Sequence, residues 1–269
     1  MSEPLHAQDV LHRLMGLRFG HPVYLYHEVG STNDEARRLA QALAPEGLLV
    51  VAETQTAGRG RAGRRWITPA GSALAVSLVL RPNVSAAQAA RLTMLVGLAV
   101  CEAIEQVAGV PAGLKWPNDI LVAGQKTAGI LVESVTQPAD SQQRLDYAVV
   151  GIGINVDAAP PAAEVDFPAT ALAVQAGRPI DRLILLRAIL HRLETRYADV
   201  AAPDPLPLVN DWAARLAWFG ETVLVRTAAG ETAGQAEGVD PDGALVMRLD
   251  NGQRLRVLAG DVRLRRAAP

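Results

Sequence analysis

A run rich in β-branched and aromatic residues, Val23–Val29, is broken by Gly30 and followed by a polar cluster, Ser31–Glu35. The run predicts a strand and the cluster a helix start. Thr32-x-x-Glu35 has the form of a capping box, and Asp34 and Glu35 place negative charge in the first turn of a helix expected to reach about Gln41. Leu48–Glu53 reads as a second strand and Ala73–Leu80 as a third. Between them lies a loop rich in glycine and arginine, from Gln55 to about Gly71. Ser85 opens an alanine- and leucine-rich helical pattern that runs to about Ala108. Short strands with tight connections follow at Leu114–Trp116, Ile120–Val122, Thr127–Ser134 and Tyr147–Ile154. A Pro/Ala-rich loop, Asp157–Pro168, leads to a helix over Asp181–Asp199. The prolines of Ala201–Pro207 end that helix, and a short helix containing Trp212 is expected next.

From about Phe219 the pattern changes. Thr222–Arg226, Thr232–Val239, Ala244–Arg248 and Arg254–Leu258 are β-rich segments separated by Ala-Gly, Asp-Pro-Asp-Gly and Asp-Asn-Gly turns. They predict a small C-terminal barrel of SH3-like type, and a division of the chain into residues 1–217 and 218–269.

Composition narrows the classes. Of 269 residues, 49% are hydrophobic and 20% charged, as in ordinary soluble globular proteins, and the net charge of −2 supplies no global basic field for nucleic acid. The N-terminus shows neither the basic start nor the apolar run of a signal peptide. The longest apolar candidates, near Leu92–Cys101 and Tyr147–Val156, are short for a membrane span, so a cytoplasmic location is expected. The single cysteine, Cys101, reads as a buried inert thiol, and five scattered histidines show no metal-ligand spacing, so no protein-held metal is expected.

Three segments carry candidate chemistry. Gly58-Arg59-Gly60-Arg61-Ala62-Gly63-Arg64-Arg65-Trp66 places four arginines within seven positions, and guanidinium groups grip phosphate or carboxylate bidentately. A solvated basic loop or an RNA contact would show the same residues. Lys115-Trp116-Pro117-Asn118-Asp119 puts a lysine inside a strand, where its burial is costly without an anion. Gly124-Gln125-Lys126-Thr127 lacks the glycine spacing of a phosphate loop. Gly151-Ile152-Gly153-Ile154-Asn155 lacks the third glycine of a dinucleotide fingerprint. It still allows close backbone approach to a ligand, with Asn155 able to bond an adenine edge.

Together, and in this order, these segments resemble the biotin–protein ligase family. The matching positions are Ser31-Thr32-Asn33, Gln55, the Gly58–Trp66 loop, Lys115–Asp119, Lys126-x-x-Gly129-Ile130-Leu131-Val132-Glu133 and Gly151-x-Gly153-x-Asn155. The resemblance implies an α+β fold: a mixed, mainly antiparallel sheet with helices, like class II aminoacyl-tRNA synthetase catalytic domains, followed by the small barrel. It also implies activation of biotin with ATP, and transfer of biotin from biotinoyl-AMP to a lysine of a biotin carboxyl carrier protein. Ser31, Thr32, Asn33 and Gln55 are then expected at the ureido head of biotin. Gly58, Arg59, Gly60, Arg61, Gly129, Gly151 and Gly153 are expected to complete that site, and Lys126 to lie between the biotin carboxylate and the α-phosphate.

For the nucleotide, Arg59, Arg61 and Arg64 are expected over the phosphates, Asn118 and Asn155 at the adenine, and Trp66 against it once the loop closes. Lys126, Arg59, Arg61 and Asp119 are the expected catalytic set, with Asp119 orienting or deprotonating the acceptor amine. Mg2+ is expected mainly on the ATP phosphates. A separate DNA-reading domain does not fit before Ser31, so a ligase without repressor function is expected, as monomer or homodimer, with no nucleic-acid or membrane partner. A lipoate ligase of the same fold, or a non-catalytic nucleotide- or RNA-binding module, would share some of these features.

Overall fold

The computed structural model describes residues 4–67, 69–137 and 143–264. Seven strands form the main sheet: β1 (Val23–Val29), β2 (Leu49–Gln55), β3 (Ala73–Leu80), β4 (Ala112–Lys115), β5 (Asp119–Val122), β6 (Gln125–Thr136) and β7 (Leu145–Asn155). Their order is β1-β2-β3-β7-β6-β5-β4. Only β1 and β2 run parallel, since helix α2 (Thr32–Gln41) connects them; every other ladder is antiparallel.

Period-two alternation decides what each sheet face does. On β7, Ala148, Val150, Ile152 and Ile154 enter the large core. Tyr147 and Val149 point the other way, as the alternation also requires of Gly151, Gly153 and Asn155. On β3, Leu74, Val76, Leu78 and Leu80 face that core while Val79 faces α2. Helices α3 (Ala90–Ala108) and α5 (Arg182–Arg196) cover the large-core face, with α1 (Ala7–Leu14), α4 (Leu172–Ala176) and α6 (Leu206–Ala214) at its margins. Ala36, Leu39 and Ala40 seat α2 on the opposite face.

The segment Ala86–Ala108 is 23 residues long and apolar enough to cross a membrane by length and composition, contrary to the expectation from shorter windows. It is the core helix: Leu92, Leu95, Leu98, Val100, Cys101 and Ile104 are fully buried in protein. The capping box expected at Thr32 does not form. Ser31 is the N-cap and Thr32 the first helical residue, with the Glu35 N–H bonded to Ser31 O and the Thr32 hydroxyl engaged elsewhere.

The C-terminal strands are β8 (Thr222–Thr227), β9 (Gly230–Val239), β10 (Leu245–Arg248), β11 (Arg254–Val257) and β12 (Asp261–Leu264). They form one antiparallel sheet in the order β11-β10-β9-β8-β12. The expected SH3-like barrel is not found: among the described residues no ladder joins the edge strands β11 and β12. Turn residues between β-rich runs specify hairpins but not closure, and the fifth strand pairs with β8 instead. Val223, Val225, Ala236, Met247 and Val262 of this sheet belong to the same cluster of buried apolar residues as the large core, and α6 packs against β9.

Candidate active site

Alternation along β6 and β7 brings glycines to the sheet face that carries α2. Gly129 pairs with Gly153, and Leu131 with Gly151. A Cβ on Gly151 would lie 2.2 Å from Asn33 Oδ1, and one on Gly153 would lie 2.4 Å from Trp66 Cε2. Glycine is required at both because other groups occupy the space a side chain would fill. The lowered floor opens into a cavity of about 820 Å3.

Neutral groups line one end. The backbone N–H and hydroxyl of Thr32 lie 2.8 and 3.1 Å from Gln55 Oε1, which leaves the Gln55 amide nitrogen for a ligand. Ser77 Oγ stands 2.8 Å from Thr32 Oγ1 and 2.6 Å from Asn33 Oδ1. Asn33 Nδ2 donates to Leu131 O at 3.3 Å and to Glu133 Oε2 at 2.8 Å, so both its hydrogens are spent within the protein. Asn33 therefore contributes a fixed carbonyl, not an amide donor.

The arginine segment forms a small hairpin across this end. Arg59 bridges to Arg65, Gly60 N–H bonds Arg64 O at 2.7 Å, and Trp66 N–H bonds Gly58 O at 2.9 Å. Gly58 does not line the cavity; a Cβ there would lie 2.6 Å from Trp66 O, so it closes the hairpin. Arg59 grips Glu133 bidentately at 3.0 and 2.7 Å and reaches Asp34 at 2.8 Å. Arg64 lies 3.4 Å from Asp261. Arg61 lines the cavity half-buried, its guanidinium with no hydrogen-bonded or ion-paired partner among the described residues. Burial lowers its guanidinium pKa, partly offset by Asp119. A sheltered, unmatched guanidinium facing a cavity suits an anionic ligand.

At the other end two lysines share one carboxylate. Lys126 Nζ lies 2.5 Å from Asp119 Oδ1, and Lys115 Nζ lies 3.2 Å from Asp119 Oδ2 and 3.1 Å from Asp261 Oδ1. Lys115 is 2% exposed and stands over the Phe167 ring. Burial raises the Asp261 carboxyl, but Lys115 and Arg64 outweigh it and hold it below the ordinary carboxylate range. Burial likewise raises Glu133, and Asn33, Arg59 and Arg37 bring it below that range.

Asn155 donates to Thr170 O at 3.2 Å, while its Oδ1 is buried without a partner. Asn118 Nδ2 donates to Ile130 O at 2.6 Å and braces the Pro117 turn against β6, while the residue lines the cavity. The Trp66 indole lies on Gly153 and Gly129, with Lys126 5.6 Å from its ring centre and its Nε1 buried without a partner.

Apart from Gly58, every site residue singled out from the sequence lines this one cavity. Sequence reasoning missed Ser77, Glu133, Phe167, Asp261 and the rim from the C-terminal sheet, Arg226, Thr227 and Arg263. A lone serine inside the apolar run Ala73–Leu80 was a usable signal for Ser77. Lys115 was noticed as a costly buried lysine, but nothing in the sequence named its second carboxylate.

Neutral hydrogen-bonding groups at one end, cations at the other and a glycine floor between them define a site for joining a carboxylate to a nucleotide phosphate. Residues 27–155 match the biotin/lipoate A/B protein ligase family, and residues 219–265 match the biotin protein ligase C terminal domain. The chain is 38% identical to a biotin–[acetyl-CoA-carboxylase] ligase of Paracoccus denitrificans, over 84% of this chain and 93% of that one. It is also 38% identical to the bifunctional ligase/repressor BirA of Bacillus subtilis, over 89% of this chain and 73% of the relative. The biotin protein ligase of Aquifex aeolicus in complex with biotin and ATP superposes with a TM-score of 0.75 at 29% identity, covering 92% of this chain and all of that one. The chain belongs to the biotin protein ligases.

Proposed function

We propose that the chain joins biotin to AMP, releasing pyrophosphate, and then passes the biotinoyl group to a lysine of a biotin carboxyl carrier protein. The observation that carries this reading is the polarity of the cavity: Ser31, Thr32 and Gln55 suit a neutral ureido ring, whereas Lys126 and the unmatched Arg61 suit a carboxylate meeting phosphates. The biotin carboxylate attacks the α-phosphorus and pyrophosphate departs, so no protein nucleophile is needed. Lys126 neutralises both reacting groups and Arg61 supplies a second, unmatched cation. The free Oδ1 of Asn155 accepts from the adenine amine, and Trp66 covers the ring. Mg2+ would be carried mainly by the ATP phosphates.

In the transfer step the acceptor amine attacks the acyl carbon and AMP leaves. With both Asp119 oxygens engaged by lysines, orientation of Lys126 and of the incoming amine suits Asp119 better than proton removal. Asp119→Asn retaining full transfer from preformed adenylate would overturn that assignment. The reading as a whole is tested by pyrophosphate release from ATP with biotin or lipoate. Biotin-dependent release that falls at least a hundredfold in Lys126→Ala supports it; release with lipoate alone replaces the substrate, and release with neither overturns it.

A further inference from the structure

The chain carries 26 lysines and arginines, and only Lys115 and Lys126 are lysines. Both sit in the cavity and both bond Asp119. Six arginines line the same cavity and its rim: Arg59, Arg61, Arg64, Arg65, Arg226 and Arg263. The bias towards arginine is chain-wide, extending to Arg13, Arg187 and Arg192, which do not line the cavity, so it needs no cause in the site. Its chemical consequence nevertheless falls at the site. We propose that, in consequence, this ligase does not acylate its own side chains with the mixed anhydride it makes, a reading that rests on the adenylating activity proposed above.

The reaction to be avoided is the productive one misdirected. The lone pair of a neutral amine attacks the acyl carbon, an amide bond forms, the bond from that carbon to the phosphate oxygen breaks, AMP leaves with the electron pair, and a proton passes to solvent. Only the neutral amine reacts. A solvated lysine, with a pKa of about 10.4, is neutral in about one molecule per thousand near pH 7.4. An arginine, with a pKa above about 12, is neutral far less often, and its delocalised nitrogens are poor nucleophiles. Because the rim cations are guanidiniums, they attract a triphosphate without offering an amine to the anhydride. A lysine at Arg226, whose side chain is 66% exposed beside the cavity, would offer one.

The two lysines that remain are each tied to a carboxylate, which holds the amine nitrogen in an ion pair. Lys115 is 2% exposed and enclosed by Asp119, Asp261 and the Phe167 ring. Lys126 is committed to Asp119 at 2.5 Å, with the Trp66 ring over it.

The test uses the full chain with biotin, ATP and Mg2+ but no acceptor, and in parallel with chemically prepared biotinoyl-AMP. Intact mass and peptide mapping read biotin incorporation for the native chain and for Arg226→Lys and Arg263→Lys, with the α-amino group as internal reference. The native chain is expected to gain no side-chain biotin, and each rim lysine to be labelled at that position at least tenfold above the native background. Acylation of Lys126 or Lys115 in the native chain would overturn the proposal, as would rim lysines no more labelled than background. Pyrophosphate release is followed in the same reactions. Its absence with biotin would count against the ligase reading alone, because the prepared adenylate still tests the inference.

Discussion

Glu133 is the carboxylate on which the arginine hairpin and helix α2 meet, and Glu133→Gln separates the two. It accepts from Arg59 at 3.0 and 2.7 Å, from Asn33 at 2.8 Å, and pairs with Arg37 at 2.5 Å. The side chains of Glu133, Arg59 and Arg37 are 24%, 35% and 33% exposed, so these bonds lie between the buried and the solvent-screened limits. A hydrogen bond to a charged group contributes about 1.5–3 kcal/mol when sheltered, and an exposed ion pair about 0.2–1 kcal/mol. Loss of the charge should therefore loosen the hairpin by about 1–2 kcal/mol, a factor of roughly 5 to 30 in its open population. The hairpin is its own reporter, because trypsin cleaves after each of its arginines. Cleavage between residues 59 and 65 in the presence of biotin and ATP should accelerate by that factor. The KM for biotin should rise about tenfold through the freed Asn33 amide, with Tm lowered by only a few degrees. Cleavage and KM both within twofold of the native values, in a folded variant, would refute the coupling. The pH dependence has a definite sign. The folded-state pKa of Glu133 is depressed, so its contribution is present above the unfolded carboxylate value of about 4.3 and is lost as pH falls below it. Hairpin protection should be flat from about pH 5 to 8 and collapse only in acid.

The floor glycines should separate the two substrates: Gly151→Ala drives a methyl into Asn33 and should raise the KM for biotin, whereas Gly153→Ala drives one into Trp66 and should raise that for ATP. Overpacking of this kind costs about 1–3 kcal/mol, and equal effects on both constants in steady-state assays would contradict the assignment. Cys101 is fully buried and burial pushes its thiol up to about 12, so a thiol reagent such as DTNB should react only after urea unfolding. The buried pair Glu53–Arg182, bonded at 2.7 and 3.1 Å, ties β2 to α5; Glu53→Gln should lower stability by about 3 kcal/mol in urea denaturation.

How far the sequence discloses this protein depends on whether a feature is local. The strands from Val23 to Leu80 and the long core helix follow from hydrophobic runs and their breakers, and the structure places them within a few residues. Thr32 shows the limit of a local motif. Its spacing to Glu35 fits a capping box, yet Gln55 and Ser77, far away in sequence, claim its hydroxyl. Barrel closure failed for a related reason: whether β12 meets β11 or β8 is a matter of long-range pairing that turn residues do not encode. Asp261 carries no motif, and its role appears only when the C-terminal sheet folds back within 3.1 Å of Lys115. Glu133 stood in view at the end of an apolar run, but only the register of β6 against β7 aims it at Arg59.

That register is also what makes the site possible. Ala128 and Ile130 of β6 and Val150, Ile152 and Ile154 of β7 bury themselves in the large core, with Val132 packed against it, which leaves Gly129, Leu131 and Glu133 opposite Gly153, Gly151 and Val149 on the other face. A slip of one residue would turn Ile130 and Ile152 into the cavity and the glycines into the core. Each large apolar side chain so exposed would forfeit about 1.5–3 kcal/mol, and several would be lost at once. Core burial thus fixes the bare strip of sheet on which Asn33 and Trp66 rest. No separate device is needed to keep the floor open, since the force that folds β6 onto β7 is the one that keeps side chains off it.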